Sequence, residues 1–334
     1  MKQTDTDSIK TTRLQTESGL DIRILNLGAT LQSVRVPTAN GVVETLLGFE
    51  NPDEYRDNPA FLGSTIGRYA GRIEDARFEF NGKTYQLDRN DEDYGHCLHG
   101  GSGGFHSKFW DVEEDSAGQW VSYRLVSPDG DQGFPGRLEV ETRYTLAGPM
   151  SLLIDYRARC DADTVLNLTN HAYFNLNGDG SSIENHEVWI NSDLYLPMAS
   201  NMLPTGDVRA VNGTLFDFRH KAVLAERLAR EERQLELVGG IDHFFMLNKA
   251  MKYPAIAASI ASPASGIRVK FYSSRPGVQF YTGNSLDGRF ARRSGLCLEF
   301  QNAPNAPNVD GFPSAVVKGG VDYHRQLVIE YERT

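Results

Sequence analysis

The chain has 334 residues, of which 40% are hydrophobic and 23% charged, a composition typical of a folded, water-soluble protein. Its 44 acidic and 34 basic residues give a net charge of -10, which argues against nucleic acids and anionic membranes as partners because both carry negative charge. Small neutral ligands are compatible with this charge.

Most of the predicted elements are strands, because apolar and polar residues alternate along many segments. In chain order, this alternation predicts strands within residues 21–36, 77–87, 120–128, 137–146, 151–160 and 267–274. Residues 147–149 (Ala-Gly-Pro) separate two of these runs and predict an antiparallel hairpin, and Asn81-Gly82 predicts another hairpin within 77–87.

Two further segments complete the predicted fold. Residues 165–176, VLNLTNHAYFNL, have the pattern of a buried strand in which polar side chains interrupt the apolar run. Residues 221–239 are rich in helix formers and predict a helix that Gly239-Gly240 ends. Since no Gly- or Pro-rich linker divides the chain, we predict one all-β domain over residues 1–334, a large antiparallel β-sandwich with few short helices.

Glu299 lies in a run, LCLEF, that otherwise has the pattern of a buried strand. A buried carboxylate is costly unless it is paired or used. Two interpretations follow, an ion pair with a structural arginine or a catalytic base whose pKa is tuned by partial burial. Strand alternation puts Cys297, Glu299 and Gln301 on one face, as expected for the lining of a pocket.

His171 also breaks an apolar run, and its Asn and Thr neighbours could fix its tautomer. It is either a hydrogen-bonded core residue or an acid in a reaction. In residues 275–284, alternation places Gln279 and Tyr281 on one face and Phe280 on the other. Amides and aromatic rings suit sugars, although a strand can also tolerate one polar residue. Asp242 follows the predicted helix, where an exposed acid would be unremarkable.

His96 and His99, with His106 nearby, have a spacing that invites a zinc hypothesis. They lie in a Gly-rich loop rather than on a helix, and no Cys pair or H-E-x-x-H motif completes the set, so we predict no metal. The glycines of residues 100–104 are expected to let the backbone turn closely around a ligand. Phosphate-binding, dinucleotide and nucleophilic-serine motifs are absent from the sequence, and we expect no cofactor.

The three cysteines, Cys97, Cys160 and Cys297, are odd in number and widely spaced, which predicts free thiols in a reducing compartment. The first residues, MKQTDTDSIKTTR, contain no apolar core of signal-peptide length, and no run of about 18 apolar residues occurs. We therefore expect a cytoplasmic protein without a membrane span.

Eight short blocks of this sequence, in order, resemble the aldose 1-epimerase (galactose mutarotase) family. They are LGATLQSVRVP, LLGFENPDEY, GRYAGRI, LHGG, DGDQGFPGRL, NLTNHAYFNL, PGVQFYTGN and LCLEFQ. The likeness runs from about residue 20 almost to the C-terminus. It implies a β-sandwich of the galactose mutarotase type and a cofactor-free enzyme that interconverts the anomers of a free monosaccharide such as glucose or galactose.

The resemblance also implies site residues, namely the catalytic base Glu299, the general acid His171, a second active-site histidine His99 near the ring oxygen, and the sugar-binding Arg72, Asp242 and Gln279. Breaking the C1–O5 bond needs a base for the C1 hydroxyl and an acid for O5. We therefore expect an ionised Glu299 beside a protonated His171 near neutral pH.

Two positions depart from the family pattern, Gly71 and His96, each where the family often has Asn. The missing amide beside Arg72 removes a possible contact to the sugar, and His96 could replace a hydrogen bond or change the charge of the pocket. These departures concern substrate preference rather than the reaction. Two alternatives stay open, a glycoside hydrolase that uses Glu299 with Asp242, and a non-catalytic sugar-binding protein on the same fold.

Overall fold

The structure is a computed structural model that describes residues 8–248 and 254–333. Residues 1–7, where the stretch considered for a signal peptide begins, lie outside the described residues. Strands make up most of the regular structure. In the first half of the chain they are β1 (Thr11–Gln15), β2 (Asp21–Leu25), β3 (Thr30–Thr38), β4 (Gly41–Glu44), β5 (Thr65–Ile66), β6 (Arg72–Ile73), β7 (Arg77–Phe80), β8 (Lys83–Gln86), β9 (Cys97–Leu98), β10 (Asp111–Glu114), β11 (Trp120–Ser127), β12 (Leu138–Gly148), β13 (Ser151–Cys160) and β14 (Thr164–Val165).

The second half adds the remaining strands and two short α-helices. The strands are β15 (Thr169–Asn170), β16 (Tyr173–Phe174), β17 (Glu187–Ile190), β18 (Leu194–Leu196), β19 (Arg209–Ala210), β20 (Ala222–Val223), β21 (Asp242–Met246), β22 (Ala255–Ser262), β23 (Ile267–Ser273), β24 (Gly277–Tyr281), β25 (Leu296–Gln301), β26 (Val316–Val317) and β27 (Asp322–Arg333). The helices are α1 (Leu224–Leu228) and α2 (Arg233–Val238), and 3-10 turns occur at Pro52–Arg56, Glu74–Ala76, Phe105–Ser107, Asp131–Gly133, Ile183–Asn185 and Ala306–Asn308.

Two antiparallel sheets form the sandwich. The larger has nine strands in the order β10-β11-β12-β13-β27-β23-β22-β17-β20, and the smaller has six in the order β16-β25-β24-β21-β18-β19. Aromatic side chains pack between them, with the ring centroid of Phe271 5.2 Å from that of Phe174 and 5.5 Å from that of Phe300. The prediction of an all-β antiparallel sandwich is confirmed.

Both predicted hairpins are present. Strands β12 and β13 pair antiparallel from Leu138 opposite Cys160 to Gly148 opposite Ser151. Strands β7 and β8 flank Asn81-Gly82, whose positive φ angles of 52° and 71° suit a tight turn. Strands β11 and β23 lie within the predicted ranges 120–128 and 267–274, and the predicted range 21–36 contains β2 and the start of β3.

Two predicted elements are interrupted. The prediction of one buried strand over 165–176 is wrong, because the segment forms three two-residue strands that pair in turn with β26, β5 and β25. Asn167 lies at one break, where its side-chain amide donates to the carbonyl of Ala70. The prediction of one helix over 221–239 is also wrong, since α1 and α2 are separate. Leu224 and Leu235 are both buried in the main core, and Gly239 ends α2 in a left-handed conformation.

All three cysteines are free, as the sequence predicts, and they are buried. No helix among the described residues is long and apolar enough to cross a membrane.

Candidate active site

Strands β24 and β25 present a polar face that the alternation of their residues predicts. Leu298 and Phe300 point into the main core, while Glu299 lines a pocket on the other side of the sheet. Gln279 lies directly opposite Glu299 on β24 and lines the same pocket. The pocket has a volume of about 190 Å³, and all six predicted site residues line it. The structure therefore brings together side chains that are up to 227 positions apart, from Arg72 to Glu299 (299 − 72).

Glu299 is the most electrostatically perturbed acid of the pocket. It is 3% exposed, and its Oε2 atom has no hydrogen-bond partner among the described residues. Burial, followed by the nearby negative charge of Asp242, raises the pKa of Glu299 to about 8, and the positive charge of Arg72 partly opposes this shift. No structural arginine pairs with this carboxyl in the described residues, so the ion-pair interpretation is not supported.

His171 faces Glu299 from the segment between β15 and β16. Its Nε2 atom lies 3.8 Å from Glu299 Oε1, and its Nδ1 atom lies 3.6 Å from Cys297 Sγ. Backbone hydrogen bonds from His171 N–H to the Ser64 carbonyl and from Gly63 N–H to the His171 carbonyl hold the segment in place. The side chain is thus a buried group aimed into the pocket rather than a core residue with saturated hydrogen bonds.

The pKa shifts of the two groups do not support the expected protonation order. Burial lowers the pKa of His171 to about 4, while Glu299 has a raised pKa of about 8. At neutral pH these shifts favour a protonated Glu299 beside a neutral His171. The reason is that removing water penalises the charged form of both groups, and their 3.8 Å separation provides no hydrogen bond to compensate.

His99 is fixed by its own loop. Its backbone has a positive φ of 54°, and its Nδ1 atom accepts a hydrogen bond of 3.2 Å from Gly71 N–H. A neutral imidazole that accepts at Nδ1 carries its proton on Nε2, so His99 offers a donor. Burial, followed by the charge of His171, lowers the pKa of His99 well below its usual range, which keeps the ring neutral.

Arg72 reaches the pocket beside a carboxylate that the sequence reasoning missed. Its Nε atom donates to Asp91 Oδ2 at 2.7 Å, and its guanidinium lies 6.0 Å from the ring centroid of Tyr94. Asp91 belongs to the acidic run DEDYG, which has the composition of an exposed loop, and no local pattern identifies its partner 19 residues away. Because this ion pair uses Nε, the guanidinium is oriented while its terminal nitrogens are left out of the pair.

Asp242 and Gln279 form the far wall. Gln279 Nε2 donates to Asp242 Oδ1 at 2.6 Å, and Gln279 Oε1 has no partner among the described residues. Burial raises the pKa of Asp242. Tyr173, Tyr281, Met198 and Met202 also line the pocket, and sequence reasoning identified only Tyr281 among them.

The two departures from the family pattern have different positions. Gly71 lines the pocket with a φ of +84°, next to Arg72. His96 does not line it, because its Nδ1 accepts from Asp75 N–H and its Nε2 contacts the Asn201 carbonyl. The expectation that His96 changes the charge of the pocket is therefore not supported.

The predicted role of the Gly-rich loop is also corrected. Gly100 has a φ of +87°, and a Cβ atom there would overlap the carbonyl oxygen of Gly67. Gly103 faces the side chain of Gln132 in the same way. These glycines allow close approach to the protein's own chain, not to the pocket, and they hold the loop that carries His99 against the segment that carries Arg72.

His99, His171 and Glu299 form a group that could hold a metal ion, with one nitrogen or oxygen atom of each within 4.8 Å of the others. They are not the His96, His99 and His106 set considered from the sequence. The same three side chains are the acid–base set implied by the resemblance, so a metal ion here would occupy the atoms proposed to react.

A larger groove of about 570 Å³ lies on the nine-stranded sheet, along β11, β12, β13 and β27. Its lining consists largely of exposed charged residues in ion pairs, such as Arg159 with Asp322 at 2.9 Å. It lacks the buried acid and bases that converge in the smaller pocket, so the smaller pocket is the candidate active site.

Comparisons with known proteins identify the family of this chain. The sequence model of the aldose 1-epimerase family matches residues 10–330. The galactose mutarotase of Rattus norvegicus is 39% identical over 315 residues, which cover 91% of this chain and 89% of that protein. The aldose 1-epimerase of Escherichia coli K12 is 38% identical over 308 residues, covering 90% of this chain and 88% of that protein.

Solved structures share the fold over its full length. An aldose epimerase homologue from C. elegans superposes with a TM-score of 0.90 at 29% identity, covering 98% of this chain and 100% of that chain. The galactose 1-epimerase of Lactobacillus acidophilus has a TM-score of 0.87 at 28% identity, covering 100% and 97%. The sequence match, the fold and the converging pocket residues together place this chain in the aldose 1-epimerase family.

Proposed function

We propose that this protein is a mutarotase that interconverts the α and β anomers of free aldoses such as glucose and galactose. One observation carries the proposal: a buried carboxyl and a buried imidazole, Glu299 and His171, face each other across a pocket with 3.8 Å between their nearest polar atoms. The relatives named galactose mutarotase and aldose 1-epimerase support the same activity.

The reaction requires two proton transfers at neighbouring sugar atoms. In the proposed mechanism, Glu299 takes the proton of the C1 hydroxyl while His171 gives a proton to the ring oxygen O5. The C1–O5 bond then breaks and leaves an open-chain aldehyde. Rotation about C1–C2 followed by closure gives the other anomer, and the two residues exchange their roles. Each such proton transfer typically accelerates a reaction about 10²- to 10⁴-fold.

The raised pKa of Glu299 and the lowered pKa of His171 favour the proton on Glu299 before a sugar binds. We propose that sugar binding moves it to His171. Hydrogen bonds from sugar hydroxyls and the charge of Arg72 both stabilise the Glu299 carboxylate, while O5 provides an acceptor for protonated His171. The reaction needs no net proton from solvent.

The remaining site residues are proposed to bind and orient the sugar. The Nε2–H of His99 is a donor placed for the region of the ring oxygen. Arg72, oriented by Asp91, and the linked pair of Asp242 and Gln279 offer donors and acceptors for hydroxyls. We propose a monosaccharide as the partner and the cytoplasm as the compartment. We also propose a single domain over residues 1–334, which the family match over residues 10–330 supports.

Polarimetry on freshly dissolved α-D-glucose and α-D-galactose tests the function. The wild type should accelerate the relaxation of optical rotation above the spontaneous rate, and Glu299→Gln should reduce that acceleration about 10²- to 10⁴-fold because a neutral amide cannot accept the proton. Circular dichroism should show that the variant is folded.

A folded Glu299→Gln variant with full activity would contradict the role of the base. Release of nitrophenol from an aryl galactoside would favour a glycoside hydrolase instead. Sugar binding by the wild type without any acceleration across a panel of aldoses would favour a non-catalytic binding protein.

A further inference from the structure

Gln301 is a buried residue whose side-chain amide forms no hydrogen bond with the described part of the protein. It is 1% exposed and lines the pocket. Neither its Oε1 nor its Nε2 atom has a hydrogen-bond partner among the described residues. A buried polar group without a partner has lost its hydrogen bonds to water and gained nothing in return, so an amide with both ends unpaired destabilises the fold. Its presence indicates that a ligand provides the missing partners.

The strand register explains why the amide stays free. Gln301 follows Glu299 on the same face of β25, roughly 7 Å further along the strand. The residue opposite it on β24 is Gly277, which offers no side chain for a cross-strand hydrogen bond. The equivalent neighbour of Glu299 is Gln279, whose amide nitrogen is bound to Asp242. Gln301 thus lines the pocket with an amide whose oxygen and nitrogen both lack a hydrogen-bond partner among the described residues.

The chemistry of the amide indicates what it binds. An amide presents one acceptor and one donor side by side, and two neighbouring hydroxyls of a pyranose ring match it, one donating to Oε1 and the other accepting from Nε2. The C1 hydroxyl and the ring oxygen are reserved for Glu299 and His171 in the proposed mechanism. The pair that Gln301 meets must therefore lie elsewhere on the ring.

We infer that Gln301 binds a pair of adjacent ring hydroxyls away from the reacting C1–O5 bond, and so selects aldoses that carry that diol. The inference rests on the proposed mutarotase function and assigns a substrate-binding residue to the same pocket. It makes Gln301 a binding and specificity residue, with no part in proton transfer.

The variant Gln301→Leu tests the inference, because leucine keeps much of the volume and removes both polar atoms. The KM for the preferred aldose should rise about 10- to 100-fold, as expected for two lost hydrogen bonds, while kcat should change by less than about threefold. In the absence of sugar, the stability to urea should be unchanged or higher, since no unpaired amide is buried any longer. A purely structural glutamine would instead lose stability and leave KM unchanged.

Gln32→Leu is the matched control. Gln32 is also buried, at 5% exposure, but its Nε2 donates to the carbonyls of Phe49 and Glu50, and it lies outside the active-site pocket. This variant should lose stability and keep the wild-type KM. A loss of stability in Gln32→Leu that is not seen in Gln301→Leu, together with a raised KM only in Gln301→Leu, separates an amide that binds a ligand from one that stabilises the fold.

Monodeoxy sugars identify the hydroxyl pair. With the wild type, removing either of two adjacent hydroxyls should raise KM several-fold, and with Gln301→Leu the same removals should cost nothing further. An unchanged KM in Gln301→Leu, or equal penalties for every deoxy sugar in both proteins, overturns the inference. If the wild type accelerates no aldose, the proposed function fails, and calorimetric titration of the same sugars into both proteins still tests whether Gln301 binds them.

Discussion

Glu299 and His171 illustrate how burial shifts the pKa values of an acid and a base so that the neutral form of each is favoured. Each residue is at most 5% exposed, and each has a pKa shifted so that its neutral form is favoured. In such a site one proton is available to both Glu299 and His171, the two groups proposed to react. The secondary structure around Glu299 and His171 does not indicate which of them carries the proton. That depends on how far the pocket removes both groups from water.

The raised pKa of Glu299 predicts a pH-dependent stability. Between the usual value of about 4.3 in the unfolded chain and about 8 in the folded protein, folding requires Glu299 to bind a proton that the unfolded chain has released. Stability from this group is complete below the lower value and is lost as pH rises toward the higher one, at about 1.4 kcal/mol per pH unit. Glu299→Gln has no such proton to lose.

The free energy of unfolding of Glu299→Gln relative to the wild type should therefore increase steadily from pH 5 to pH 8. Urea denaturation at each pH measures it, and Glu17→Gln, at an exposed position, should give a constant difference. The contribution of His171 has the opposite sign, lost as pH falls from about 6.5 to 4, and cancels because both proteins contain it. A constant difference for Glu299→Gln would show that its carboxyl is ionised when the protein folds.

The sequence predicted which residues line the candidate site better than it predicted their protonation states. Alternation in LCLEF placed Glu299 and Gln301 on one face, and the family blocks supplied the roles of His171, His99 and Arg72. Asp91 was missed because its pairing with Arg72 depends on how two loops fold together. The proton order was missed because it depends on the exclusion of water, which no short motif encodes.

At the scale of single elements, the loop that carries His99 depends on one close approach. Gly100 packs against the backbone of Gly67 and Arg68, and its positive φ of 87° disfavours any side chain. The residue pattern predicted a Gly-rich turn here, but the close approach of its backbone was expected to be toward a ligand. The correct partner is a segment much earlier in the chain, which periodicity cannot reveal.

Gly100→Ala should lower the free energy of unfolding by about 2–4 kcal/mol and reduce the mutarotation rate, because the loop must move and take His99 with it. Gly82→Ala is a matched control, since Gly82 also has a positive φ, of 71°, but a Cβ atom added there would meet nothing within 4 Å. It should cost only about 1–2 kcal/mol and leave the rate unchanged. Equal effects of the two substitutions on stability and rate would argue against the close approach as the cause.

Long regular strands such as β12 and β13 were predictable because their period of two continues for about ten residues. The segment 165–176 was not, because its backbone pairs with three successive partners and each partner lies in a different part of the chain. Its polar side chains, which signal an active site, are also what satisfies the backbone at these breaks. The polar residues of this segment thus mark both the candidate site and the breaks between the short strands.

At the scale of the whole molecule, the order of strands in the large sheet matters most. The last strand, β27, pairs with β13 on one side and β23 on the other, so it lies at the centre of the nine-stranded sheet. Its residues Leu327, Ile329 and Tyr331 are buried in the main core. Strand β27 therefore joins β13 and β23 within the sheet.

Val328→Pro should destabilise the protein by about 3 kcal/mol or more, because proline removes a backbone donor in the middle of a central strand. Glu113→Pro, in the edge strand β10, should cost much less. Thermal unfolding followed by circular dichroism compares the two. Similar melting temperatures for both variants would contradict the central position of β27.

This position of β27 also determines when the protein can be completed during synthesis. The ribosome makes β10 to β13 and β17 to β23 long before the residues that join them. Until residues 322–333 emerge, β13 and β23 are two unpaired edges of incomplete sheets, each open to pairing with other chains. The pocket lies in a sandwich that needs both sheets, so it forms only after residues 322–333 have been made, and a chain that lacks these residues exposes the two strand edges that β27 would cover.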